Sequence, residues 1–327
     1  MIADRIELIL LAVAAILVAT VAYLRIGDRA LAGLPREWGR HLVPWLFLAP
    51  ALVVVGLTLV FPAITTMVLS LFDADGSSFV GLDNYVETLS DSVTQIALRN
   101  TILWVVLLPS FAVLVGLSIA VLADRVRYGG LVKAALFLPI AISAVATGVI
   151  WTFMYDYQPP GAEQTGTMNA GLTLIPCVEP VAWIVNEATS NYALIGATLW
   201  TQAGFAMVIF GAALRSVPED LHEAARLDGA SEWRVFRNIT LPMLLPTIVV
   251  VATTMTVIAL KMFDIVYVMT NGKYGTDVLS TVMYRELFTA KDDGVAGAVA
   301  TILMLAVVPL MIFNLRQFRR HSREAGA

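Results

Sequence analysis

Seven long, nearly uncharged apolar runs constrain the fold of this 327-residue chain more than any other feature. A helix of about 20 apolar residues crosses the hydrocarbon core of a bilayer. The runs occupy about residues 8–24, 43–65, 101–123, 134–154, 192–214, 241–263 and 295–315. Only 14% of the residues are charged, against about 25% in soluble domains. The sequence therefore predicts an all-α fold, a polytopic membrane bundle with about seven transmembrane helices.

The first apolar run has two interpretations. It is the shortest of the seven, so a signal peptide is the alternative to a transmembrane helix. The residues before it are not clearly basic, and Arg25 and Arg29 follow it as they would follow a stop-transfer helix. We therefore predict an extra N-terminal helix with a linker at 1–42, a transmembrane domain at 43–320 and a cytoplasmic tail at 321–327.

Basic residues are concentrated in alternate loops. Fifteen of the 21 Lys and Arg residues lie in segments 25–42, 124–133, 215–239 and 316–327, which share one side of the membrane if seven spans are threaded. Because Lys and Arg are enriched in cytoplasmic loops, these segments are predicted to be cytoplasmic. The N-terminus would then lie outside and the C-terminus inside the cell, in a bacterial inner membrane.

A polar island at residues 216–242 separates the fifth and sixth runs. Ser216 and Glu219 have the spacing of a capping box, which predicts a helix from Val217 to Asp228. Gly229 can adopt the left-handed conformation that ends a helix, and Ser231 can cap the next one. The side chains of Val217, Leu221, Ala224 and Ala225 would form a narrow face of mostly small residues.

Within this island, Glu223-Ala224-Ala225 is followed at fixed spacings by Gly229 and by Ile239, Leu241 and Pro242. This pattern resembles the EAA loop of inner-membrane permeases of ABC importers. In that family the loop is a coupling helix that docks on a separate ATPase. The resemblance implies that 43–320 is a permease domain with a cytoplasmic coupling loop at 216–240. It also implies that the residues which couple the chain to an ATPase are Glu223, Ala224, Ala225, Asp228 and Gly229.

Other interpretations of the island are an ordinary helical hairpin and an amphipathic helix lying on lipid. A lipid-surface helix is typically basic. Between Arg215 and Asn238 the net charge is −1, so the lipid-surface interpretation is disfavoured.

Three further stretches resemble sugar permeases of this class. They are Tyr155–Ala170, which is similar to the alpha-glucoside branch, Trp200–Met207 and Lys261–Gly272. The resemblance implies an alpha-linked di- or oligosaccharide as the substrate. It also implies three kinds of partner: a second homologous permease, a dimer of ATP-binding subunits and an extracytoplasmic sugar-binding protein.

Polar and aromatic side chains within the runs are candidates for the substrate path. A sugar needs amide and hydroxyl partners together with an aromatic ring, and a charged residue within a span favours a functional role. The candidates are Trp200, Gln202, Lys261, Asp264 and Asn100, and Thr201 and Trp151 also have suitable side chains. Lys261 and Asp264, at i and i+3, are predicted to share a helix face and pair. Packing between helices, or a Lys at the membrane interface, is the alternative in each case.

Several functions lack the residues that they require. No phosphate-binding P-loop motif and no catalytic triad or HExxH motif occurs. We therefore expect a non-enzymatic subunit without its own cofactor, with ATP and Mg²⁺ bound by the partner ATPase. The single Cys177 and three separated histidines indicate no metal site, and the net charge of −4 argues against nucleic acid. The competing hypothesis is an ion-coupled secondary transporter, for which Asp264 would be the intramembrane acid.

Overall fold

The computed structural model describes residues 14, 18, 20–27, 29, 36–124, 126 and 128–324. The predicted first span at 8–24 lies largely outside these residues, and those of its positions that are described are helical. Residues 325–327 of the predicted tail also lie outside them. The chain divides into two compact units, Met1–Thr66 and Met67–Ala327.

The first unit contains helix α1 (Arg36–Val55) and a π-helical turn at Gly56–Val60. The Tyr23 hydroxyl donates a hydrogen bond to the backbone oxygen of Leu46, at 3.1 Å. Helix α2 (Phe61–Leu69) follows the π-helical turn. The stretch Val43–Leu69 is long and apolar enough to cross a membrane, and it covers the second predicted run.

The second unit is mainly helical, with longer irregular stretches at 70–82, 155–166, 173–189 and 270–278. Its helices are α3 (Asp83–Ser90), α4 (Ser92–Asp124), α5 (Gly129–Phe137), α6 (Ala144–Met154), α7 (Thr167–Leu172), α8 (Ser190–Arg215), α9 (Glu219–Leu227), α10 (Glu232–Val235), α11 (Leu241–Leu260), α12 (Asp264–Met269), α13 (Leu279–Arg285) and α14 (Asp293–Glu324). A π-helical turn joins α10 to α11, and another at Glu286–Ala290 follows α13.

Most predicted spans coincide with single helices. Within the described part of the chain, four helical stretches meet the length and hydropathy of a span: Val43–Leu69, Ser92–Asp124, Ser190–Arg215 and Glu232–Leu260. Helices α5 and α6 form a bent pair that makes a fifth if counted as one span, and α14 begins with an apolar helix over Asp293–Pro309. The helical content and these spans agree with the predicted polytopic bundle.

The fourth predicted span is not a continuous helix. The helix axis turns by 106° between Gly129–Ala141 and Ala144–Met154. Pro139 lies in a 3₁₀ turn, and Ile142 is extended with φ −83° and ψ 132°. Proline has no amide hydrogen for the helical ladder, and Ser143 starts a new helix by accepting a hydrogen bond from the Ala146 amide at 3.2 Å. The break follows from these two local preferences.

Small residues bring the central helices α4 and α8 close together. A Cβ atom added to Gly116 of α4 would lie 2.5 Å from the Cβ of Ala206 on α8. On the same helix, a Cβ atom added to Gly204 would lie 2.3 Å from the backbone oxygen of Leu136 in α5. Close packing of small residues is the usual way to associate helices in lipid, where no hydrophobic effect drives them together. Helix α8 is thereby held in the centre of the unit.

Candidate functional site

A cavity with several polar side chains in a mostly apolar lining lies where two helix breaks meet α8. One wall is the break between α5 and α6, and the opposite wall is the break between α11 and α12. The cavity, here called the central cavity, has a volume of about 310 Å³. It is lined by Ile140, Ile142, Ala144, Thr147, Thr198, Thr201, Gln202, Val257, Ile258, Lys261, Met262, Phe263, Asp264 and Ile265. Interrupted helices beside a cavity are a common way for transporters to place polar groups at membrane depth.

Two uncharged polar side chains in the central cavity are available to a ligand. The Gln202 amide nitrogen makes only a long contact with the Thr201 hydroxyl, at 3.5 Å. The Thr147 hydroxyl is buried, and it has no hydrogen-bond partner among the described residues. A buried hydroxyl without a partner costs stability. A hydroxyl-bearing ligand would satisfy both groups. Thr147 was missed from sequence because a threonine in an apolar helix is ordinarily satisfied by its own backbone.

Lys261 and Asp264 both line the central cavity and both are exposed there. The predicted pairing on one helix face is wrong, because α11 ends at Leu260 and α12 begins at Asp264. The two residues therefore lie on either side of a break instead of one helical turn apart. In the described structure no ion pair joins them. Both charged groups remain available to the interior of the cavity.

Trp200 lies beside the cavity but does not line it. Its ring makes an edge contact with Trp151, with centroids 5.9 Å apart, and Trp151 contacts Tyr155 at 5.0 Å. The Tyr155 hydroxyl donates to the backbone oxygen of Ala193 at 3.2 Å, which ties the end of α6 to α8. The geometry makes these aromatic rings part of the core that positions α6 and α8.

Asn100 also lies away from the central cavity. It is 1% exposed, and its amide nitrogen donates to the backbone oxygens of Gly275 and Asp277, each at 2.7 Å. Its side-chain oxygen accepts a hydrogen bond from Asn191 at 3.3 Å. The turn that it holds includes Tyr274 in the left-handed region, at φ 57°. The amide nitrogen of Asn100 thus fixes the loop after α12, and its side-chain oxygen is bonded to α8.

Helix α9 is a surface helix between α8 and α10. The predicted helix over Val217–Asp228 exists, but it is shorter at both ends, at Glu219–Leu227. The predicted capping box is wrong. The Ser216 hydroxyl donates to the backbone oxygen of Ala213 at 2.7 Å, so Ser216 closes α8. Pro218 occupies the N-cap position of α9 without a side-chain hydrogen bond.

The C-terminal end of α9 agrees with the prediction. Gly229 has φ 78°, in the left-handed region. The Gly229 amide donates to the Arg226 oxygen and the Ala230 amide to the Ala225 oxygen, each at 3.0 Å. This pair of bonds is a Schellman motif, which uses glycine at its left-handed position. Ser231 stands at the N-cap of α10 as predicted, but its side chain makes no capping hydrogen bond.

One face of α9 is fully open. None of its nine described residues, Glu219–Leu227, is buried. Asp220, Glu223, Ala224 and Leu227 are all exposed, and at i, i+3, i+4 and i+7 they share one side of the helix. Leu227 is 88% exposed. This face is open to solvent along its whole length, so it is accessible to another molecule.

The opposite face of α9 is tied to the helices that follow. Arg226 binds Glu232 of α10 through two hydrogen bonds of 2.8 and 3.4 Å. His222 lies 3.2 Å from the hydroxyl of Thr240, at the foot of α11. The carboxylate of Glu232 raises the pKa of Arg226. The sequence offers little sign of these contacts, because the turn at Gly229 must form before the partners meet.

These observations define the class of protein. It is a helical membrane bundle with broken helices around a cavity that contains polar side chains, and a surface helix links two of its spans. The chain belongs to the family described as binding-protein-dependent transport system inner membrane component, which it matches over residues 41–321.

Individual relatives agree with this assignment. The osmoprotective compounds uptake permease protein of Synechocystis sp. is 45% identical over 278 residues, covering 85% of this chain and 99% of the relative. The alpha-glucoside transport system permease protein of Rhizobium meliloti is 44% identical over 280 residues, covering 85% of this chain and 83% of the relative. A crystal structure of a bacterial ABC transporter that imports alginate matches with a TM-score of 0.73. It is 24% identical, and the match covers 88% of this chain and 99% of that chain, which supports the fold.

The comparisons confirm the predicted family and fold class. The chain is a multi-pass inner-membrane permease with the fold of type I ABC importer permeases. Its relatives are permease subunits and not enzymes. Membership of this family does not favour an ion-coupled secondary transporter.

Proposed function

We propose that this permease imports an alpha-linked glucoside, such as a di- or oligosaccharide, and is driven by ATP hydrolysis on a separate subunit dimer. The single observation that carries the ATP-driven part is the open face of α9, a helix that is bonded to α10 and to Thr240 at the start of α11. The alpha-glucoside relative from Rhizobium meliloti supports the substrate class.

Energy coupling would begin at α9. Glu223 and Ala224 lie on its open face, Ala225 is half-buried behind them, and Asp228 and Gly229 form the turn at its end. If this face docks on the ATPase, each closure of the ATPase dimer would move α9 as a rigid body. ATP and Mg²⁺ would be bound by that dimer alone. Because α9 is bonded to Glu232 and Thr240, its displacement would move α11 and the helix break at its end. Rigid-body motion of this kind changes which side of a bundle is open.

The substrate would pass through the central cavity. Gln202 and Thr147 supply amide and hydroxyl groups, and Lys261 and Asp264 supply charged partners for sugar hydroxyls. A volume of about 310 Å³ is at the lower end of the range for small-molecule sites. The wall at Lys261 belongs to the helix that α9 would move. Coupling and transport would therefore share α11.

The proposal includes an orientation and further partners. Because basic residues concentrate in the segments on the α9 side, α9 and the C-terminus would face the cytoplasm, with the N-terminus outside. A second homologous permease would complete the path. An extracytoplasmic sugar-binding protein would deliver the substrate to the outer loops, as the family description requires a binding protein.

Uptake in proteoliposomes tests the proposal. The chain is reconstituted with a partner permease, the ATP-binding subunit and the binding protein, and accumulation of radiolabelled maltose and trehalose is measured. We expect accumulation only with ATP inside the vesicle, and no response to a proton or sodium gradient. Gln202→Leu is expected to raise the KM for sugar. Uptake that follows an ion gradient without the ATPase would contradict the proposal and support a secondary transporter.

A further inference from the structure

An open apolar groove lies between the C-terminal third of α4 and the segment that joins α10 to α11. One wall includes Leu114, Leu117 and Leu122, and the other includes Trp233, Phe236 and Leu241. The volume of the groove is about 620 Å³, against about 310 Å³ for the central cavity. Its two walls belong to two candidate membrane spans, Ser92–Asp124 and Glu232–Leu260. We call it the interfacial groove.

The interfacial groove reaches from the membrane surface into the hydrocarbon region. Its α4 wall runs from Leu122, near the end of α4 at Asp124, to Leu114, about 12 Å along the helix at 1.5 Å per residue. Trp233 is 69% exposed and stacks on Phe236, with ring centroids 5.8 Å apart. Tryptophan is enriched at the headgroup level of a bilayer, because its ring is apolar and its N–H reaches water. The Trp233 end of the groove therefore lies at the headgroups, and the Leu114 end lies among the acyl chains.

Two arginines follow Trp233 within about one helical turn. Arg234 and Arg237 are both exposed, and within the described part of the chain neither takes part in an ion pair. Arg237 comes four residues after Trp233, so the two side chains lie on one side of this helical stretch. Glu232 also lines the groove, but its carboxylate is bonded to Arg226 of α9. The headgroup end of the groove therefore has positive charge to offer to an anion.

The lining of the interfacial groove favours a lipid over another helix. Helices associate in lipid through small residues that let their backbones approach closely, as Gly116 and Ala206 do between α4 and α8. The groove walls consist mostly of leucine and aromatic side chains, and Ser118 is the smallest of the described residues that line it. An acyl chain is flexible enough to fill such an irregular apolar surface. Basic pockets between transmembrane helices on the cytoplasmic side bind anionic headgroups, and the groove is on that side in the proposed orientation.

We propose that the interfacial groove binds an anionic glycerophospholipid, with an acyl chain along the α4 wall and the phosphate on Arg234 and Arg237. A lipid in this position would lie against Glu232, the residue that holds α9 through Arg226. It would therefore pack beside the joint between α9 and α11. The inference goes beyond the proposed function, because lipid binding requires neither the sugar nor ATP.

The test measures lipid binding by native mass spectrometry of the full-length chain, alone and together with its partner permease. The protein is released from phosphatidylcholine nanodiscs that contain increasing fractions of phosphatidylglycerol, and the retained lipid gives an apparent Kd for phosphatidylglycerol. Arg234→Gln and Arg237→Gln remove the charges, and Ser118→Trp fills the groove from an exposed position on α4. Arg215→Gln is the matched control, because Arg215 is exposed at the end of α8 and does not line the groove.

Each basic residue near a membrane surface contributes about fivefold to the affinity for anionic lipid. Arg234→Gln and Arg237→Gln are each expected to raise the Kd for phosphatidylglycerol by about this factor. Ser118→Trp should abolish retention of the lipid, and Arg215→Gln should leave the Kd unchanged. The two groove arginines are exposed, so their variants test the site even if Ser118→Trp does not fold.

Three results would overturn the lipid site. The first is an unchanged Kd in both groove arginine variants, or a rise of equal size in Arg215→Gln. The second is equal retention of phosphatidylcholine and phosphatidylglycerol by the wild-type protein, which would make the groove an unselective contact with the bilayer. The third is release of phosphatidylglycerol when the partner permease is added, which would identify the groove as a contact between the two subunits.

Discussion

Replacement of Asn100 by leucine separates a structural role from a role in the substrate path. The Asn100 amide donates to two backbone oxygens at 2.7 Å, those of Gly275 and Asp277, at a site that is 1% exposed. Leucine has a similar size but no donor, so both oxygens would lose this partner. With about 1–2 kcal/mol for each bond and its unsatisfied acceptor, the expected loss of unfolding free energy is about 2–4 kcal/mol.

The assay combines equilibrium unfolding in bicelles with uptake kinetics on the fraction that remains folded. Asn100→Leu should lower the unfolding free energy by that amount while the KM for sugar stays within about twofold of wild type, because Asn100 does not line the central cavity. Gln202→Leu is the matched control, since its amide has only a 3.5 Å contact to lose. That variant should raise KM without a loss of stability. A stable Asn100→Leu protein with a raised KM would contradict the structural role and place Asn100 in the substrate path.

Three further predictions concern the surface helix, the helix packing and an outer loop. Gly229→Asp should abolish uptake, Gly229→Asn should retain most of it, and both variants should insert normally into the membrane. Asp and Asn both tolerate the left-handed conformation, but only Asp adds a negative charge at a helix C-terminus. Equal uptake by the two variants would contradict this prediction. Gly116→Leu should lower the unfolding free energy by about 1–3 kcal/mol because the side chain overpacks against α8. Gly130→Leu should not, because no atom lies within 4 Å of a Cβ added there. Equal losses of stability in the two variants would contradict the close packing of α4 on α8. The hydrogen bond from the Thr165 hydroxyl lowers the pKa of the Asp156 carboxyl. The stability that this bond contributes is therefore fully present above the pKa that Asp156 has in the unfolded chain, and it is lost as pH falls through the lower pKa of the folded protein. NMR titration should show that low pKa, and Thr165→Val should raise it toward the usual aspartate value; an unchanged pKa would exclude Thr165 as the cause.

The bundle could be predicted because its determinants are local. Length and hydropathy identify a span without knowledge of its neighbours, and the runs at 101–123 and 192–214 fall within α4 and α8. Gly229 was predicted for the same reason, since only its own backbone conformation matters at the end of α9. Where Ser216 was predicted as a helix start, two local preferences competed. Its hydroxyl bonds back to Ala213, and the end of α8 has priority over the start of α9.

The cavity could be predicted only in part. Gln202, Lys261 and Asp264 were found because polar groups in apolar runs are conspicuous. Their arrangement depends on a helix break at Lys261 that periodicity does not reveal. Asn100 was selected for the same polarity, but its partners lie 175 and 177 residues away along the chain. Contacts of that separation follow from the tertiary fold, so no local pattern indicates that its amide is already used.

Cross-linking from the open face of α9 tests whether this helix docks on the ATP-hydrolysing subunit. In a Cys177→Ser background, single cysteines replace Ala224 and Leu227, and a cysteine at the 4%-exposed Ala123 is the control. The complete importer is treated with a short bifunctional cross-linker in the presence and absence of ATP. We expect adducts between the ATP-hydrolysing subunit and both α9 positions, with a yield that changes with nucleotide, and no adduct from position 123. An assembled, active importer that gives no adduct from either α9 position would contradict this docking.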